Sequence, residues 1–198
     1  MDEGHTRPVL WSIAGNDSGG GAGLSADLRA AEAFGVHLCP VVAAVTAQNS
    51  RAVARIEPVG AALLGAQLAA LAADLPPRAV KTGLLATAEQ IRFVAQTVDT
   101  LRTRDAALPL VVDPVLAAST GARFADAAAL AAYRELIARA TIVTPNRAEA
   151  AQLLGLPHLT AAEVPQAAAQ LRAWGAQAVA ITGGDEEEKL AADYIDTP

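Results

Sequence analysis

The chain has 198 residues, 53% hydrophobic but only 4% aromatic, enough for one α/β domain whose core must be built from Ala, Leu and Val. A net charge of −6, a pI near 5.0 and only two lysines, Lys81 and Lys189, argue against a nucleic-acid-binding face. The acidic start Met1–His5 has no secretory pattern, no apolar run approaches the ~18 residues of a membrane span, and a lone Cys39 suits a reducing cytoplasm.

In chain order, Val9–Ala14 reads as a short buried strand and leads into Gly15-Asn16-Asp17-Ser18-Gly19-Gly20-Gly21-Ala22-Gly23. Glycine this dense marks backbone that turns with positive φ or approaches another molecule closely. Leu24, Leu28, Ala31 and Phe34 then recur at helical spacing, with Gly35 where a C-cap belongs. A strand, a glycine turn and a helix are expected to leave unpaired amides at the helix N-terminus, suited to a phosphate or a polar ligand edge. Gly15 to Gly20 has P-loop spacing, but Gly21-Ala22 stands where Lys-Ser would be required. A dinucleotide fingerprint can be written as Gly21-x-Gly23-x-x-Ala26, yet no acidic residue falls between Glu32 and Glu57 to hold a ribose. A structural turn without a ligand is the other reading of the same residues.

Val36–Thr46 reads as a second strand, ending in the polar cluster Thr46-Ala47-Gln48-Asn49-Ser50. That cluster is either a ligand edge at the strand's carboxyl end or an ordinary polar turn. Arg51–Val59 is expected to be a short edge element interrupted by Pro58. Leu63, Leu64, Gln67, Leu68, Leu71 and Leu75 form a helix stripe that stops at Pro76-Pro77. Ala79–Leu85 is a strand flowing into a Gly83 turn, on which Lys81 could be an exposed strand-end charge. Thr87-Ala88-Glu89-Gln90 resembles a capping box opening a helix to Leu101, with Ile91, Val94, Val98 and Leu101 inward.

Leu108–Val112 is an apolar strand stopping at Asp113-Pro114, where a carboxylate is costly to desolvate without Mg²⁺ or an arginine nearby. A helix over 125–139 and a strand over 141–144 precede Asn146-Arg147-Ala148-Glu149, itself an N-cap signature. Thr160–Glu163 caps a helix to Trp174 closed by Gly175. Ala178–Thr182 is a strand ending in Gly183-Gly184, residues 185–188 form a solvated loop, and 190–195 return as an antiparallel strand. The repeated strand-then-helix order predicts a three-layer α/β domain with a mainly parallel sheet.

The run Ser12 to Leu28 resembles the opening of the hydroxymethylpyrimidine and phosphomethylpyrimidine kinases of thiamin biosynthesis, members of the ribokinase superfamily. The family's K-x-G-[ML]-L, D-P-V, N-x-x-E and [TK]-G-G segments are matched in order by Lys81–Leu85, Asp113–Val115, Asn146–Glu149 and Thr182–Gly184. The resemblance implies a ribokinase-like domain over residues 9–198, with 1–8 a flexible N-terminal segment. It implies ATP-dependent phosphorylation of 4-amino-5-hydroxymethyl-2-methylpyrimidine and its monophosphate, with pyridoxal kinase as a sibling activity. It places Gly15, Asp17, Ala22, Asp27, Thr46, Gln48, Leu84 and Val115 at the pyrimidine, and Asn146, Thr182 and Gly184 at the nucleotide. Asp113 and Glu149 are the implied Mg²⁺ residues, and a cytoplasmic homodimer is the implied assembly. The family's [KT]-S-G becomes Ser119-Thr120-Gly121 here, and Asp185 replaces the usual His. The family's G-T-G-[CD] segment, which supplies the anion hole and the catalytic residue, has no counterpart in these 198 residues, so an incompletely represented kinase domain, or else a binding domain without catalysis, is expected.

Overall fold

The first strand, β1 (Val9–Asn16), is buried on both faces from Trp11 to Gly15, which is why it reads as an apolar run and not as an alternation. Its covering elements follow from a computed structural model that describes residues 7–116, 126–183 and 191–198. After β1 come α1 (Gly23–Ala33), β2 (His37–Gln48), β3 (Val53–Pro58), α2 (Ala61–Asp74), β4 (Ala79–Thr82) and α3 (Ala88–Arg102). Then follow β5 (Leu110–Val112), α4 (Ala127–Ile137), β6 (Ile142–Val143), α5 (Arg147–Leu153), α6 (Val164–Arg172), β7 (Ala178–Ile181) and β8 (Tyr194–Asp196).

The strands make one sheet in the order β3-β2-β1-β4-β5-β6-β7-β8, parallel except for the antiparallel edge strands β3 and β8. One face carries α2 to α6 over a continuous core that includes Trp11, Ile13, Val41, Val80, Leu110, Val112, Val143 and Val179. Alanines at 95, 129, 132, 150, 151, 167 and 168 line this core, so the helices can come close with little aromatic bulk. The buried Trp11 Nε1 donates to the Leu75 carbonyl at 2.9 Å, satisfying the end of α2 just ahead of Pro76. On the opposite face α1 packs on β1 and β2. The expected three-layer α/β architecture is the one observed.

From the β1–β4 boundary the crossovers run in opposite directions, β1 through α1 to β2 and β4 through α3 to β5. Open α/β sheets bind ligands in the crevice such a reversal opens at the carboxyl ends of the strands.

Local expectations fare unevenly. Leu24 and Ala31 of the α1 stripe are buried, but Leu28 is 50% and Phe34 84% exposed, because only part of that stripe meets the sheet. Thr87 caps α3 by accepting from Gln90 N–H, yet the Gln90 side chain does not complete a capping box. It is buried, accepts from Ala86 N–H at 2.9 Å, and donates to the carbonyls of Ala43 and Val59, each at 2.7 Å. Ala43 is where the β1–β2 register slips by one residue. Next to it the Gln67 amide of α2 pairs with both the N–H and the C=O of Val42, which explains a glutamine in an otherwise leucine-rich stripe. Residues 1–6, Ser119-Thr120-Gly121, Gly184 and the 185–188 segment lie outside the described residues.

Candidate active site

All six parallel strands end in polar or glycine residues along one sheet edge: Asn16 and Gln48 at the ends of β1 and β2, then Gly83, Asp113, Thr144 and Thr182 just beyond β4, β5, β6 and β7. The glycine loop after β1 is folded around Asp17. This carboxylate is 8% exposed; its Oδ1 accepts from Gly19 N–H at 2.7 Å and its Oδ2 from Gly21 and Ala22 N–H, each at 2.9 Å. The loop amides ahead of α1 are thus satisfied by the loop's own anion, while the first turn of α1 itself has no side-chain cap. Gly20 and Gly23 hold φ of +73° and +55°, and a Cβ at Gly23 would overlap the Gly15 carbonyl oxygen, so the tight turn requires glycine there.

The loop is tied to the end of β2. Ser18 Oγ donates to the Gln48 carbonyl at 2.7 Å and accepts from Gln48 N–H at 2.8 Å, while Thr46 Oγ1 donates to the Asn16 carbonyl at 3.0 Å. Asn49 turns its Oδ1 back onto Arg51 and Ala52 N–H, which makes it a turn residue. Gln48 thus has its backbone fixed while its amide stands at the strand end. Across the switch point, a Cβ on Gly15 would lie 3.0 Å from Leu84 Cδ2 and one on Gly83 3.0 Å from the Ala14 Cβ. Both glycines let β1 and the β4 loop close on each other, with Leu84 9% exposed between them. Val115 follows Asp113 and donates its N–H to the Asp113 carbonyl at 3.0 Å.

Farther along the edge, Asp113, Thr144, Asn146, Glu149 and Thr182 line one open cavity of about 350 Å³. Thr182 reaches it because β7 continues past its last regular residue, with Thr182 N–H on the Pro145 carbonyl at 2.9 Å. Asn146 and Glu149 form a complete capping box: Asn146 Oδ1 accepts from Glu149 N–H at 2.8 Å and Glu149 Oε2 from Asn146 N–H at 2.9 Å. The cap orients both side chains at the cavity, leaving Asn146 Nδ2 to donate outward. Glu149 is 7% exposed, and its Oε1 also accepts from Leu116 N–H at 3.4 Å. Burial pushes the Asp113 carboxyl up; Lys81 opposes this and Asp27 adds to it, with a third of the side-chain surface still open to temper the effect.

Among the described residues no cluster of three or more His, Cys, Asp or Glu could cage a metal. Two carboxylates with threonine oxygens instead fit a cation that keeps most of its water and shares phosphate oxygens, as Mg²⁺ does. Asp27, placed at the pyrimidine by the family resemblance, spends its carboxylate on Ser12 and Lys81. The observed roles of Ser12, Gln67 and Gln90 come only from pairing across the fold.

Fold and edge together define a three-layer α/β domain whose sheet edge has a packed glycine-loop end and an acidic end. The chain belongs to the phosphomethylpyrimidine kinase family, whose sequence profile matches residues 17–197. It is 44% identical over 178 residues to the hydroxymethylpyrimidine/phosphomethylpyrimidine kinase of Synechococcus elongatus, covering 89% of this chain and 66% of that protein. The crystal structure of phosphomethylpyrimidine kinase from Clostridium difficile 630 superposes with a TM-score of 0.84 at 30% identity, covering 96% of this chain and 81% of that one. An ADP complex of Bacillus subtilis pyridoxal kinase gives the same TM-score and identity over 97% of this chain and 71% of that one. The chain spans 66% and 65% of the length of two curated relatives it matches, and 34% and 38% of two bifunctional ones.

Proposed function

We propose that residues 9–198 form the pyrimidine- and nucleotide-facing part of an ATP-dependent kinase of 4-amino-5-hydroxymethyl-2-methylpyrimidine and its monophosphate, acting in thiamin biosynthesis. The observation that carries this is the sheet edge itself, which sets Gly15, Thr46, Gln48 and Leu84 at one end and Asp113, Asn146, Glu149 and Thr182 at the other. Phosphoryl transfer depends mainly on holding acceptor and phosphate in line and on stabilising charge, which such an edge can supply. The Gln48 amide donates and accepts at once, matching an aminopyrimidine edge, while Leu84 and Val115 bound the ring. Asp17 keeps the loop closed so that Gly15 and Ala22 can approach the ligand, and Asp27 acts from behind it. Asn146 and Thr182 face the nucleotide phosphates. When bound, Mg²⁺ would neutralise charge on the transferred group, and Asp113 and Glu149 would hold it. A cytoplasmic homodimer completes the reading.

Pyridoxal kinase activity is the second reading, supported by the equal structural likeness to a pyridoxal kinase. ADP release with hydroxymethylpyrimidine, compared with pyridoxal, separates the two. A protein that binds the pyrimidine in calorimetry but releases no ADP with either substrate is a binding domain, and the kinase reading fails for it.

A further inference from the structure

Three charged side chains from three elements meet at the rim of the acidic cavity. Lys81 of β4 donates to both oxygens of Asp27 of α1, at 3.1 and 3.0 Å, and lies 3.6 Å from Oδ2 of Asp113, just past β5. Ser12 of β1, fully buried, donates to Asp27 Oδ2 at 2.6 Å. Lys81 pairs with Val111 across the β4–β5 ladder, so Asp113 is two residues farther along the neighbouring strand. A Cβ on Gly83 would lie 3.4 Å from Lys81 Nζ, so the lysine runs toward the carboxyl ends of the strands. Lys81 and Asp27 are only 22% and 20% exposed, against 33% for Asp113. The expectation of an exposed strand-end charge therefore gives way to an enclosed cation shared by two carboxylates.

The sharing is unequal. Asp27 takes both short contacts and the serine, while Asp113 receives one longer contact on one oxygen. With both carboxylates ionised the trio carries a net charge of −1, and the deficit falls on Asp113, the member that also lines the cavity.

Resting on the reading of Asp113 as a Mg²⁺ residue, we propose that Lys81, anchored by Asp27 and Ser12, is the positioning residue that holds Asp113 at the cavity and limits how strongly it attracts a divalent cation. Removing the ammonium takes the trio from −1 to −2 and should tighten divalent-cation binding. Removing the Asp27 charge takes it to zero, frees Lys81 for Asp113, and should weaken it. A residue with only a packing role would move affinity in one direction for both changes.

The test is Mn²⁺ alone, titrated into the 198-residue protein and followed by electron paramagnetic resonance of the free ion, with thermal unfolding checking each variant's fold. A charge step this close to a divalent ion corresponds to about fivefold or more in affinity. Lys81→Met should tighten Mn²⁺ by that factor and Asp27→Asn should weaken it comparably. The double variant, again at −1, should return to within about twofold of the parent, and Lys81→Arg should stay near the parent. If Lys81→Met and Asp27→Asn both weaken binding, or neither moves it, the proposal is overturned. Asp113→Asn separates the two layers: if it leaves Mn²⁺ binding unchanged, the metal reading itself falls, whereas a loss there with an unmoved Lys81→Met overturns the positioning role alone.

Discussion

Replacing Asp17 with Asn tests whether the glycine loop is held by its own carboxylate. The side chain accepts three backbone N–H groups at 2.7, 2.9 and 2.9 Å, and an amide offers one oxygen where the carboxylate offers two. The better orientation keeps that oxygen on Gly21 and Ala22 and turns the NH₂ group against Gly19 N–H. One donor is then unpaired, which costs about 1–3 kcal/mol when buried, and two bonds lose their charge assistance at roughly 1 kcal/mol each. Gly19, Gly21 and Ala22 are exposed, so water recovers part of this and a net loss of about 2–3 kcal/mol is expected. For a chain of this size that lowers Tm by about 5–10 °C. Urea unfolding should show a lower midpoint with an unchanged slope. Pyrimidine affinity should fall with the loop, while Mg-ATP affinity, which depends on the far end of the edge, should hold. A variant within about 0.5 kcal/mol of the parent would refute the reasoning, since a site with no such dependence behaves like ordinary surface.

Gln48→Leu should weaken hydroxymethylpyrimidine by about 1–3 kcal/mol, roughly tenfold, in calorimetry and leave Mg-ATP unchanged; loss of ATP with the pyrimidine retained would move this amide to the nucleotide side. At Gly21 the nearest atom to an added Cβ is Asp17 Oδ2 at 3.6 Å, so Gly21→Ala should fold normally, and any loss of pyrimidine affinity would report the ligand's close approach. Gln90→Leu strands the Val59 carbonyl and the Ala86 N–H, while the Ala43 carbonyl keeps its bond from Val59 N–H, and should cost about 2–4 kcal/mol in urea unfolding; a cost below 1 kcal/mol would mean the β2 bulge does not depend on it. Burial raises the Asp113 carboxyl above its ordinary 3.8, so the ionised form costs stability at neutral pH, and that cost is relieved as pH falls through the raised value. Asp113→Asn should therefore be more stable than the parent at pH 7, with the advantage shrinking on acidification, while Mg²⁺-dependent nucleotide binding weakens; a variant less stable at pH 7 would show that the Lys81 pairing outweighs burial.

The parallel sheet and the polar ends of its strands were legible because βα repetition is local: each strand reads as an apolar run and each helix as a 3.6-residue stripe. Both edge strands, β3 and β8, could also be anticipated, from Pro58 and from the return after Gly183-Gly184. Asn146 and Glu149 were readable as a helix cap because that hydrogen bonding spans only three residues. What sequence could not assign are partnerships across the fold. Asp17 looks like a ligand-facing charge until its oxygens are found on the amides of its own loop. Gln90 looks like the end of a capping box until the slip at Ala43 leaves that carbonyl near a better-placed donor. Lys81 and Asp27 are 54 residues apart, and no periodicity relates them. Their meeting depends on the strand order that sets β4 beside β1 and on α1 crossing that face, so only the tertiary structure could turn two scattered charges and a serine into a support for Asp113.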